Sequence, residues 1–88
     1  MEKLMIFKLS YCGYCRQALQ YIDEALQKYP EFKTLDIEYV DEAKDWERAR
    51  QFDYYYVPCF FIGSRKVHEG PVNSRQVVKI LRQALGSD

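Results

Sequence analysis

The chain has 88 residues, 48% of them apolar, and its 13 Lys and Arg cancel 13 Asp and Glu. That length holds one domain with one modest core, and the charge balance leaves no electrostatic footprint for nucleic acid or an anionic membrane. No apolar stretch approaches a membrane span, Met1-Glu2-Lys3 leads into a strand without a secretory pattern, and the cysteine count is odd. A reducing compartment, the cytoplasm, is therefore expected.

Leu4-Met5-Ile6-Phe7 is a continuous apolar run, as a central strand covered on both faces requires. From Cys15 to Tyr29, apolar residues fall at Ala18, Leu19, Ile22, Ala25, Leu26 and Tyr29, which is helical spacing, and Pro30 marks the stop. Leu35, Ile37 and Tyr39 alternate with Asp36 and Glu38, predicting a strand near the sheet edge with one wet face. Asp41 is placed as the N-cap of a second helix with Trp46, Ala49 and Arg50 on its inner stripe. Cys59-Phe60-Phe61-Ile62 reads as a buried strand, Gly63-Ser64 as a turn and Lys66 to His68 as a return strand. Asn73 and Gln76 form a capping-box signal for a last helix lined by Val77, Ile80, Leu81, Ala84 and Leu85 and stopped by Gly86. The predicted order is βαβαββα.

Cys12-Gly13-Tyr14-Cys15 lies between the first strand and the first helix. A C-x-x-C pair there can open and close a disulfide within one turn. The helix N-terminus, with its unpaired N–H groups and partial positive charge, favours a thiolate on Cys12. In a βαβ setting this spacing marks thiol–disulfide chemistry. Cys12, exposed at the helix tip, is the expected nucleophile, and Cys15, more shielded, the thiol that resolves a mixed disulfide. A metal site needs further ligands, and Cys59 and His68 are the only soft candidates left.

The element order, Cys12-Gly13-Tyr14-Cys15 and the pair Val57-Pro58 together resemble the glutaredoxin branch of the thioredoxin superfamily, over essentially the whole chain. The resemblance implies an α/β, thioredoxin-like fold: a four-stranded mixed sheet with helices on both faces. It also implies a cis Pro58 facing the cysteines, with the Val57 backbone free to pair with a substrate chain, and substrate contacts at Tyr11, Gly13, Tyr14, Val57 and Pro58. Gly13 replaces the usual proline. Some relatives with a small residue there hold an iron–sulfur cluster between subunits, with glutathione as co-ligand, though no cofactor is the expectation here.

Matched to the glutaredoxin pattern, the basic position that binds glutathione falls on Leu9, beside Lys8, the Gly-Gly pair on His68-Glu69, and the pair that meets the amino end on Pro71-Val72. A shift of one restores only Gly70, while Tyr14 and Val57 are retained. The resemblance with these gaps implies a monomer that reduces protein disulfides, with a thioredoxin-type reductase or glutathione as electron donor. Cys59 reads as a strand cysteine behaving as a small hydrophobe, with a third redox thiol as the alternative. Tyr11, Tyr14 and Tyr54-Tyr55-Tyr56 read as a contact rim, at least one of the run packing inward. His68 reads as a strand residue. Many thioredoxins carry a buried acid behind the cysteines. The first strand here has none between Lys3 and Cys12, leaving water, Lys8 or the substrate thiolate to take the Cys15 proton.

Overall fold

The computed structural model describes residues 2–86. Its elements are β1 (Leu4–Lys8), α1 (Gly13–Lys28), a 3-10 helix (Pro30–Thr34), β2 (Ile37–Asp41), α2 (Trp46–Ala49), β3 (Cys59–Ile62), β4 (Arg65–Glu69) and α3 (Ser74–Leu85). The sheet order is β2-β1-β3-β4, with β1 parallel to β2 and antiparallel to β3, and β4 antiparallel to β3. The mixed four-stranded sheet with helices on both faces is the α/β architecture the sequence implied.

Residues alternate across a strand, so the two central strands feed two cores. Leu4 and Ile6 of β1 join Phe60 and Ile62 of β3 under Ala18, Ile22 and Ala25 of α1 and Val77, Ile80, Leu81 and Ala84 of α3. Met5, Phe7, Cys59 and Phe61 point the other way, against Val40 and Ala49, with Phe52, Tyr54 and Val57 closing the edge. Each fully buried large apolar side chain contributes about 1.5–3 kcal/mol. The unbroken runs Leu4–Phe7 and Cys59–Ile62 therefore hold both faces at once.

Helix α3 starts as read: Asn73 Oδ1 accepts the Gln76 N–H at 2.8 Å, and Gln76 Oε1 accepts the Asn73 N–H at 2.9 Å. Gly86 ends it at φ 86°, a left-handed position that a side chain resists.

The region after β2 differs from expectation. Asp41 does not cap a helix. It is the last residue of β2, held opposite Lys8 by the parallel ladder, and its carboxylate accepts from Ser10 Oγ at 2.8 Å and from the Ala43 N–H at 3.0 Å. Those bonds spend the side chain on a turn, and the helix is reduced to Trp46–Ala49. Only Ala49 of the expected stripe points inward. Trp46 is 56% exposed under the Arg50 guanidinium, 5.5 Å from its ring, and Arg50 is exposed too. The inward positions fall to Phe52 and Tyr54, beyond the helix.

Strand β2 is an edge strand, as read. Its faces are more evenly shared than the alternation implied, because Val40 is buried beside Phe7 while Tyr39 is 42% exposed. Leu35 is buried but precedes the strand, and Pro30 opens a 3-10 turn instead of a plain loop. Among the described residues no helix is long and apolar enough to cross a membrane.

Candidate active site

The two cysteines stand where β1 ends and α1 begins. Cys12 is the N-cap of α1, in extended backbone conformation, and its Sγ accepts the Cys15 N–H at 3.2 Å. This meets one of the orphan donors of the first turn and sets the Cys12 sulfur against the positive end of a 16-residue helix. Cys12 is partly exposed and Cys15 is buried, 1% accessible. Both are free thiols. Burial pushes the Cys15 thiol up to about 12, helped by the hydrogen bond with Cys12 and, least, by the Glu42 charge. The outer sulfur is open to solvent, while burial holds the inner one protonated at neutral pH.

Across from this pair runs the segment before β3. The Val57-Pro58 bond is cis, and the Cys12 thiol donates to the Val57 carbonyl at 3.8 Å. The structure thus brings together Cys12, Cys15, Val57 and Pro58, and leaves Tyr11 and Tyr14 at the rim, 90% and 57% exposed. Tyr55 and Tyr56 are exposed as well. Tyr54 is the inward member of its run, its ring stacked on Phe7 at 4.9 Å and its hydroxyl donating to Glu42 Oε2 at 2.7 Å. Gly13 opens α1 without steric need: a Cβ there would meet only the Arg16 guanidinium, at 3.9 Å.

The glutaredoxin family model matches residues 4–67, a span that takes in both cysteines and the cis-proline. The chain belongs to the glutaredoxin family. No curated protein matches it. Among solved structures it is similar to mitochondrial thioredoxin 3 of Saccharomyces cerevisiae, with TM-score 0.70 at 16% identity over 93% of this chain and 77% of that one. It is likewise similar to a malarial protein, with TM-score 0.70 at 18% identity over 94% and 96% of the two chains. The germline-specific thioredoxin Deadhead of Drosophila melanogaster gives TM-score 0.68 at 14% identity over 92% and 78%. At these identities the likeness is one of fold.

Positions at or beside those matched to the glutathione grip of glutaredoxins are occupied otherwise in this chain. Lys8 pairs with Asp41 at 3.6 Å. Val72 is buried in the core between α1 and α3, and His68 Nε2 lies 2.9 Å from the Pro71 carbonyl. Glu69 turns its carboxylate back onto the chain at Tyr55 and Tyr56.

Cys59 has no accessible surface, and burial together with the Glu69 charge pushes its thiol up to about 12. Among the described residues no three His, Cys, Asp or Glu side chains gather as a metal site.

Glu42, whose charge acts on Cys15, is not legible along the first strand. Glu42 follows the Lys8–Asp41 pair in the parallel ladder and reaches the cysteine neighbourhood from β2. The signal that finds it is the β1–β2 register, not the neighbours of Cys12 in sequence.

Proposed function

We propose that the protein is a dithiol oxidoreductase that reduces protein disulfides through Cys12 and Cys15. The observation that carries this reading is the asymmetry of the pair: an open Cys12 sulfur at a helix N-terminus, and a buried Cys15 whose amide already touches it.

Cys12, as thiolate, attacks one sulfur of the substrate disulfide; a mixed disulfide forms and the other substrate sulfur leaves as a thiolate. Cys15 then gives up its proton and attacks Cys12 Sγ. The Cys12–Cys15 disulfide closes and the second substrate sulfur leaves as a thiolate; the substrate has gained two electrons and two protons, one from Cys15 and one from solvent. Burial of Cys15 delays its ionisation, and the nearby Glu42 charge opposes it. Lys8 is engaged by Asp41, so the departing substrate thiolate is the base best placed to take that proton. The Val57 backbone and the exposed Tyr11, Tyr14, Tyr55 and Tyr56 form the surface on which a polypeptide lies.

A thioredoxin-type reductase is the donor this reading favours, because Leu9, Pro71 and Val72 offer no side-chain charge to glutathione, and Val72 is buried in the core besides. The protein acts as a monomer in the cytoplasm and carries no resident cofactor.

The test is disulfide reduction run in parallel with thioredoxin reductase and with glutathione plus its reductase. Turnover should be faster with the first. Cys12→Ser should abolish turnover, and Cys15→Ser should accumulate a mixed disulfide that mass spectrometry detects. Normal turnover by Cys12→Ser would reject the assignment of the nucleophile. Micromolar glutathione binding in a calorimetric titration would reassign the donor.

A further inference from the structure

Between the end of α2 and the cis-proline, residues 50–57 form no strand or helix, yet the Val57 carbonyl has to stay beside Cys12. Beside the packing of Tyr54, side chains of β4 hold this segment. Glu69, the last residue of β4, sits opposite Cys59 in the β3–β4 ladder, one place beyond Pro58. Its Oε2 accepts from the Tyr55 N–H and, at 2.8 Å, from the Tyr56 N–H. Its Oε1 accepts from Lys66 Nζ at 2.8 Å, and the same ammonium reaches the Asp53 carbonyl at 3.2 Å. Next to it, the Gly70 N–H donates to the Pro58 carbonyl at 2.8 Å. The segment is thus tied at Asp53, Tyr55, Tyr56 and Pro58, in every case to β4 or the residue that follows it.

Two adjacent backbone N–H groups and an ammonium converging on one carboxylate make a charge-assisted clamp, the stronger kind of hydrogen bonding. The surrounding geometry explains why a carboxylate is used. Tyr55 and Tyr56 are exposed, so their side chains do not anchor the backbone, and only Tyr54 is packed inward. Without Glu69 the amides of Tyr55 and Tyr56 would turn to water.

We propose that Glu69 is a positioning residue: its carboxylate holds the Asp53–Val57 segment so that the Val57 backbone stays beside Cys12, ready to pair with an extended polypeptide disulfide. The proposal deepens the dithiol reading above and rests on it for its catalytic readout. Its effect falls on substrates with a backbone to pair, and not on the sulfur chemistry of Cys12.

Glu69→Ala and Glu69→Gln are compared with the wild type on two disulfides: a disulfide-linked peptide, and bis(2-hydroxyethyl) disulfide, which has no backbone. Glu69→Ala should raise KM for the peptide about tenfold with kcat little changed, and leave the small disulfide within about twofold. Glu69→Gln keeps an oxygen for the two amides and should recover most of the peptide KM. Equal loss on both disulfides, or no change on the peptide, would overturn the positioning role.

A wild type that reduces neither disulfide would refute the dithiol reading instead. The clamp is then judged by NMR. Tyr55 and Tyr56 amides should exchange at least about tenfold faster in Glu69→Ala, and the Val57 and Cys12 amide resonances should shift. Unchanged Val57 and Cys12 resonances would overturn the proposal whatever the activity.

Discussion

Replacing Phe7 by leucine tests how firmly the floor of the site is built. Phe7 has no accessible surface, and its ring meets Phe52 at 4.8 Å, Tyr54 at 4.9 Å and Phe61 at 5.6 Å. Truncating a buried Phe to Ala costs about 3–5 kcal/mol, and each aromatic pair holds about 0.5–1.5 kcal/mol beyond area burial. Leucine keeps part of the volume but none of the ring contacts, so a loss of about 1.5–3 kcal/mol follows. At this chain length that is a fall in Tm on the order of 10–20 °C. Urea melts followed by circular dichroism measure it, with Tyr39→Leu, at a side chain 42% exposed, expected to stay within about 0.5 kcal/mol. A Phe7→Leu loss under about 0.5 kcal/mol would refute the claim that this cluster holds up the segment carrying Tyr54 and Val57.

Iodoacetamide at neutral pH should label Cys12 of the folded, reduced protein and spare Cys15 and Cys59, both buried and both held protonated up to about 12; peptide mapping reads the order, and early Cys59 labelling would contradict it. The same two thiols set an alkaline limit. Their pKa values are higher folded than unfolded, so their stabilising effect is complete below the unfolded thiol pKa of about 8.5 and declines as pH rises above it. Urea midpoints should therefore drop between pH 8 and 10, and Cys59→Ala should remove part of that drop. A flat profile across that range would count against the burial argument.

What was legible in the sequence was local. Cys12 and Cys15 lie within one helical turn, Asn73 and Gln76 cap within another, and Val57 and Pro58 are neighbours, so short-range rules reach all of them. The runs Leu4–Phe7 and Cys59–Ile62 announce strands buried on both faces, and they are. Asp41 is a good cap by residue type, which points to a longer helix after β2. Its actual partner, Ser10, lies in another part of the chain and depends on strand register. Glu42, the clamp made by Glu69, and the choice of Tyr54 as the inward member of its run escaped for the same reason, since each gains its meaning from a contact between elements.

The sulfur of Cys12 serves as a structural cap and as the proposed reacting atom. Serine is among the preferred N-cap residues, while cysteine is not. A chain selected only for stability would therefore carry serine at position 12, and the start of α1 is weaker than its geometry allows. The Cys12→Ser protein should melt no lower than the wild type, which makes it a sound control for folding. It also places a small trade-off between stability and chemistry at a single atom. Any event that engages that sulfur, whether a mixed disulfide or an alkyl group, alters the first turn of the helix at the same time. The Cys15 amide is the natural place to read the redox state of the protein.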